Sequence, residues 1–303
     1  MRVLHIFLGV AVAIGSSIRA RGPGIQMKSK RLSNGRELLN VFGVNMKKVG
    51  QREVLLDLEY DVTWMSTRKE SGSTFQCEAV SSENKSSSCV GQKEEEIQAG
   101  RYSWKDKVLV ARISDVVHGS VAATPNSSLN NLIITRRGQL FIDPSDREVD
   151  RYCPRRVSAR LLTPNSWSFE GKVAAHPSRV GFEADVIVQI VSRPGILELP
   201  KGVWGDFFGQ WVKAGVHSFD DVKGGFYHVP DCEKNNLPAI FISGEDGPLF
   251  RISPSKYTQM NEDGSCLLYV REGKTNKMKV GVDFISGYGL HLFGPGKQIV
   301  SCK

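Results

Sequence analysis

The sequence predicts an all-β protein, and three observations carry that expectation. From Leu39 onward the apolar residues fall in short runs, and β-branched and aromatic side chains are enriched within them. Gly, Pro, Asn and Ser punctuate the gaps, which is how strands joined by turns read. The helical spacing of apolar residues is almost absent. At 303 residues, with 40% hydrophobic and 24% charged residues, the chain has enough apolar material for one large core or two lobes, which excludes a disordered chain.

The elements follow in chain order. Residues 1–20 read as a cleaved secretory signal: Arg2 gives a charged start, an apolar run covers residues 3–15, and small residues follow at Gly15, Ser16, Ser17 and Ala20. That run is too short for a comfortable membrane span. No later stretch reaches the length of a spanning helix, so the expectation is a secreted, extracellular protein without a transmembrane segment. Residues 21–37 form a basic N-terminal segment. Strands are expected at residues 53–56, 107–113, 132–135, 139–142, 186–191, 239–243, 266–271 and 279–284, each an apolar run bounded by turn residues. One short helix is expected at residues 200–208, where Pro200 opens the turn and Trp204, Phe207 and Phe208 recur on one side.

The formal net charge is +8, and loss of Arg2 and Arg19 with the signal leaves the chain basic. Six cysteines, Cys77, Cys89, Cys153, Cys232, Cys266 and Cys302, read in a secreted chain as three disulfides. Cys77 and Cys89 close a small polar loop. Cys232 and Cys266 bracket a Leu-Pro strand, a Gly-rich turn and a Ser-Pro-Ser segment, and Cys153 and Cys302 are then left to pair by elimination. Spacing alone does not fix that connectivity. Asn84-Lys85-Ser86 and Asn126-Ser127-Ser128 are N-glycosylation sequons in turn-like, Ser-rich surroundings. No metal or other cofactor is expected. His118, His176, His217, His228 and His291 lack ligand spacing, no Cys-x-x-Cys pair occurs, and there is neither a Gly-x-Ser-x-Gly elbow nor a Gly-rich phosphate loop.

The functional question concentrates in Val54-Leu55-Leu56-Asp57-Leu58-Glu59-Tyr60-Asp61-Val62-Thr63-Trp64-Met65. An apolar strand runs into a lone acid, Asp57, and leaves through a second apolar stretch. A carboxylate at the end of a buried strand must be hydrogen-bonded, paired or neutral, because burying an unpartnered charge costs several kcal/mol.

Taken together, these pieces resemble the pepsin-like aspartic protease family over most of the mature chain. In the C-terminal half the match follows Pro230-Asp231-Cys232, Asn236-Leu237-Pro238-Ala239-Ile240-Phe241-Ile242, Ile252-Ser253-Pro254-Ser255-Lys256-Tyr257 and Gly264-Ser265-Cys266 in order. Lys279-Val280-Gly281-Val282-Asp283-Phe284, followed by residues 288–293, resembles the family's closing strand pair, with Gly281-Val282 in place of the usual Gly-Asp. In the N-terminal half, Leu39-Asn40-Val41-Phe42-Gly43-Val44 resembles the entry strand, and Asp57 sits where the family carries its first Asp-Thr-Gly. Cys77 and Cys89 fall at its small disulfide loop, residues 100–110 at the strand leaving the flap, and residues 138–145 with Trp167 at the segment joining the lobes.

The resemblance implies a bilobal pepsin-like fold with a shortened N-terminal lobe at residues 38–145 and a C-terminal lobe at residues 146–303. The stretch between Val110 and Gly138 is much shorter than the family pattern, and no long propeptide precedes the first matching strand.

The same resemblance implies a dismantled mechanism. Two carboxylates must share a proton, one as general base on water and the other as general acid, each in an Asp-Thr/Ser-Gly loop whose hydroxyl locks the two loops together. Here the first loop is Asp57-Leu58-Glu59: the acid stays, the hydroxyl is lost, and the Gly that permits the tight turn is replaced by a residue with a Cβ. The second loop reads Val191-Ser192-Arg193, or Gln189-Ile190-Val191 in a register shifted by two. Neither supplies an acid. The flap tyrosine has no counterpart either, and Glu94, Glu95 and Glu96 would make a solvated, mobile hairpin in place of an apolar lid. Arg193 is expected to pair with Asp57 or Glu59 across the cleft, since a buried acid gains from an opposite charge.

The expected function is therefore that of an inactive pepsin-family homologue, not an enzyme, binding a peptide or protein in its interlobe cleft. The alternatives are a residual aspartic-type endopeptidase using Asp57, with Glu59 as a remote second acid, and a polyanion-binding scaffold. The last rests on Arg147, Arg151, Arg155, Arg156 and Arg160, with Arg136 and Arg137 upstream, as a site for an acidic glycan. Asp146, Glu148 and Asp150 interleave with these arginines, so a salt-bridged, solvated surface is the competing reading. Aromatic residues that would stack on nucleic acid are not interleaved there, which argues against that partner.

Overall fold

The computed structural model describes residues 24–31, 38–46, 50–66, 88–112, 119–175, 183–192, 197–213, 220–222, 226–230, 237–285 and 287–303. The first half forms β1 (Ile25–Gln26), β2 (Lys28–Arg31), β3 (Leu38–Met46), β4 (Gly50–Asp57), β5 (Thr63–Ser66), β6 (Ser88–Ala99), β7 (Tyr102–Arg112), β8 (Gly119–Ala122), β9 (Asn131–Ile134) and β10 (Gln139–Ile142). There follow α1 (Asp146–Tyr152), β11 (Arg156–Arg160), β12 (Ser168–Ala174), β13 (Glu183–Val191), β14 (Leu197–Leu199), α2 (Lys201–Lys213), β15 (Asp220–Val222) and β16 (Phe226–Val229). The remainder forms β17 (Ile240–Gly244), β18 (Gly247–Ile252), α3 (Pro254–Tyr257), β19 (Thr258–Met260), β20 (Cys266–Leu268), β21 (Val270–Glu272), β22 (Lys277–Gly281), α4 (Val282–Ile285), β23 (Gly289–Phe293) and β24 (Gln298–Cys302). The protein is mostly β-strand. Among the described residues no helix is long and apolar enough to cross a membrane.

Two seven-stranded sheets repeat one pairing pattern. In the first, β4 runs parallel to β8, β8 antiparallel to β5, and β5 parallel to β7. In the second, β13 runs parallel to β22, β22 antiparallel to β14, and β14 parallel to β21. The five-strand orders β3-β4-β8-β5-β7 and β12-β13-β22-β14-β21 therefore correspond. Register extends the correspondence to single residues, because Asp57, the last residue of β4, pairs with Ala122, and Val191, the last of β13, pairs with Gly281.

Each motif is built the way a buried strand pair requires. Val54 and Leu56 alternate into the core from β4, as do Val186, Val188 and Ile190 from β13, which is the period of a pleated strand. Close approach fixes Gly119 at the start of β8: a Cβ there would lie 2.4 Å from the Trp64 carbonyl oxygen and 2.5 Å from the Met65 sulfur.

A six-stranded sheet, ordered β1-β10-β9-β23-β24-β11, joins the halves. β9 from the first half pairs antiparallel with β23 near the end of the chain, from Leu290 opposite Ile134 to Phe293 opposite Asn131. A disulfide between Cys153 and Cys302 ties the end of α1 to β24. A fourth sheet, of four strands in the order β15-β16-β20-β19, flanks the C-terminal part. One continuous core cluster runs from Phe42, Leu56 and Met65 through Trp167 and Phe169 to Phe250, Tyr257 and Leu292.

Several elements depart from the sequence expectation. β1 and β2 lie inside the supposed basic N-terminal segment and belong to two of the sheets, because β10 and β3 supply their ladder partners. The run at residues 266–271 breaks at Tyr269, whose N–H turns to the Tyr257 carbonyl, so that β20 pairs with β16 and β19 while β21 pairs with β14. The strand expected at residues 279–284 stops at Gly281, and Val282–Ile285 is one helical turn. The helix at Pro200 extends to Lys213, with the Pro200 carbonyl accepting from Val203 and Trp204. The glutamates of β6 belong to a regular hairpin with β7: Ile97 and Ala99 are buried, and the tip residue Arg101 pairs with Glu148 of α1.

Candidate functional site

The two strand ends of the repeated motif are joined by a hydrogen bond. The Leu58 backbone N–H donates to Ser192 Oγ at 2.6 Å. Both residues directly follow the ends of β4 and β13, and both are buried. Gln189, Ile190 and Val191 all lie within β13, paired with β22. Val191-Ser192 is thus the strand end that corresponds to Asp57-Leu58.

Asp57 is 8% exposed. Its Oδ1 accepts from the backbone N–H of Glu59 at 2.9 Å and of Tyr60 at 3.1 Å, two charge-assisted bonds that meet much of the cost of burying a carboxylate. The loop is wired into its sheet from behind. Ala123 N–H donates to the Asp57 carbonyl at 2.7 Å, and the buried Trp167 indole donates to the Ala123 carbonyl at 2.5 Å. Thr63 Oγ1 accepts from Ala122 N–H and donates to Asp106, whose carboxyl is pushed up by burial against the lowering effect of its hydrogen bonds. Thr124 Oγ1 donates to Asp61 at 3.0 Å. These contacts come from β5, β7, β8 and the chain entering β12, so the loop conformation is set by several elements at once.

At the corresponding end of β13 stands Val191, 2% exposed and unable to carry a proton. Glu59 does not take its place. It belongs to the same loop as Asp57, and Lys279 Nζ of β22 lies 3.8 Å from its Oε1, with the glutamate side chain 15% exposed. Lys279 was not evident from sequence as a site residue; the parallel pairing of β22 with β13 brings it there. Arg193 lies outside the described residues, as do Cys77, Cys232 and Asn84, and the Cys89 side chain is likewise not described.

Chemically, the arrangement offers one satisfied carboxylate, one hydroxyl used as an acceptor and one apolar side chain where a second acid would be needed. Proton sharing between two acids requires both. Among the described residues no group of His, Cys, Asp and Glu could hold a metal ion.

Other residues singled out in the sequence are also located. Cys266 is disulfide-bonded. Asn126 is exposed in the turn after β8, its amide donating to Asn165 at 2.7 Å. Arg136 and Arg137 are exposed in the turn between β9 and β10. Arg147, Arg151, Arg155, Arg156 and Arg160 are exposed around α1 and β11, and Arg156 pairs with Asp150 and donates through Nε to the Cys153 carbonyl at 2.9 Å. His291 of β23 is 7% exposed and 3.0 Å from Asn131 Oδ1; burial, with the nearby Arg156 charge, pushes it down to about 4.

Compared with protein-family models and with curated proteins, the sequence matches none.

Proposed function

We propose that this chain is a secreted, catalytically inactive relative of the pepsin-like aspartic proteases, and that it binds an extended peptide or protein segment in the cleft between its two halves. One observation carries the reading. The strand-end loops are still tied by the Leu58 N–H to Ser192 Oγ bond, while the residue corresponding to Asp57 is Val191. A loop framework of this kind, with one acid missing, keeps a geometry suited to holding a chain and lacks the partner needed to cut it. Backbone pairing along a groove supplies affinity for an extended segment without any covalent chemistry.

The test is a cleavage assay on a randomised peptide library from pH 3 to 7, with Asp57→Asn as control and circular dichroism reporting the fold at each pH. The expected result is no turnover above buffer in either protein. Peptides retained by the wild type are expected to be lost after Glu59→Arg or Tyr60→Ala, since Tyr60 is exposed beside the loop. Cleavage present in the wild type and abolished in Asp57→Asn would overturn the inactive assignment. Retention unaffected by both loop substitutions would overturn the cleft as the binding site.

A further inference from the structure

The interleaved charges at residues 146–156 are sorted by the fold into two groups. Glu148 accepts from the Ser145 N–H at 3.0 Å and pairs with Arg101, and although burial works the other way these contacts hold its carboxyl below the ordinary range. Asp150 pairs with Arg156. Two of the three interleaved acids are therefore engaged, Glu148 by Arg101 and Asp150 by Arg156, while Asp146 stays exposed in the first turn. Among the described residues, Arg147, Arg151 and Arg155 are exposed without a carboxylate partner; Arg151 lies over its neighbour Tyr152, 5.5 Å from the ring centroid.

Their placement is fixed. Arg147 and Arg151 are four apart on one helix and share a face. The helix ends at Cys153, whose N–H donates to the Val149 carbonyl at 2.8 Å and whose sulfur is bonded to Cys302. Arg155 follows within the same turn, its carbonyl accepting from the Lys303 N–H at 2.9 Å. Like charges at this helical spacing repel, while Arg151 gains from its place in the last turn and from the Tyr152 ring beneath it.

We propose that Arg147 and Arg151 of α1, with Arg155 in the turn pinned by the Cys153–Cys302 disulfide, form a binding surface for a linear anionic polysaccharide. Guanidinium groups donate in a fork that matches sulfate or carboxylate oxygens, and a row of them on a rigid turn suits a polymer with repeating charge. A lipid surface fits less well. The exposed large hydrophobic residues among those described are Tyr60, Leu162 and Met260, none on α1 or its following turn, so no apolar anchor accompanies the charge. This surface is independent of the proposed cleft function.

The experiment measures binding of the full chain to heparin (sulfated) and to polygalacturonate (carboxylated) as a function of salt. R147A/R151A/R155A is compared with K105A/K201A/K274A, which removes the same charge from elsewhere on the surface. The arginine triple variant is expected to bind about tenfold more weakly, with the slope of log K against log salt reduced by about 2–3, while the lysine variant behaves as the wild type. Binding of one polymer only identifies whether sulfate or carboxylate is the source of the charge; binding of both makes charge density the determinant. Equal losses in both triple variants, or no loss in either, would overturn the proposal, as would arginine-dependent binding to phosphatidylserine vesicles with none to either polymer. Unchanged thermal melting of both variants establishes that lost binding is not lost folding.

Discussion

The Leu58 backbone N–H donates to the Ser192 hydroxyl at 2.6 Å, joining the ends of two strands 134 residues apart in sequence. The contact is one-sided: Leu58 stands where Ser192 stands in the other motif, and its side chain has no oxygen to return the bond. Ser192→Ala is therefore expected to leave a buried donor unsatisfied and to destabilise the protein by about 1–3 kcal/mol, read as a fall in the denaturation midpoint. An unchanged midpoint would mean that water replaces the hydroxyl and that the two loops are held by their sheets alone.

Val191→Asp tests the correspondence of the two strand ends. If residue 191 faces Asp57, the new pair cannot both ionise readily, and one acid titrates well above the ordinary carboxylate range. The folded state then binds a proton more tightly than the unfolded chain, so the variant is expected to lose about 3 kcal/mol at pH 7 and to regain stability as the pH falls through the raised value. A loss independent of pH would place residue 191 away from Asp57.

His291 makes a prediction of opposite sign in acid. In the folded protein it is pushed down to about 4, against an ordinary value of 6.5. Between those values the unfolded chain binds the extra proton, so stability is full above pH 6.5 and declines as the pH drops toward 4. The depression corresponds to about 3 kcal/mol over that window. Melting curves from pH 4 to 7 measure it, and His291→Gln, which keeps a polar partner for Asn131, is expected to flatten the decline.

The Cys153–Cys302 bond closes a loop with a sequence separation of 149. Cys153→Ser/Cys302→Ser is expected to cost about 2–5 kcal/mol, seen as a lower melting temperature, and to weaken heparin binding at the proposed arginine surface by releasing the turn that holds Arg155.

Much of the architecture was legible in the sequence because its strands are apolar in their own right. Residues 139–142 form β10 as expected, and Val186 to Val191 lie inside β13. β1 and β2 were not legible: Lys28, Ser29, Lys30 and Arg31 have no strand signature, and they become a strand only because β3 offers a free edge. Helix α1 is short and highly charged, and its only sequence mark is Ser145 followed by Glu148, a capping pair without an apolar stripe behind it. At the candidate site Asp57 could be named in advance because it ends an apolar strand, whereas Leu58 and Ser192 could be named only through the family resemblance, Ser192 in one of two registers. Lys279 could not, because its approach to Glu59 depends on strand pairing between distant parts of the chain.

The six-stranded sheet also bears on how the protein is made. It holds β1 at residues 25–26 beside β10 and β24 at residues 298–302 beside β11, so it cannot be completed until residue 302 has been synthesised. The strands of the first seven-stranded sheet lie within residues 28–122 and can pair earlier. Folding is expected to proceed with that sheet formed and β9 waiting for β23, a topology of high contact order. The interval in which β9 is paired with β10 but its β23-facing edge is open is when the chain is most exposed to wrong partners, and chaperone dependence should be concentrated there.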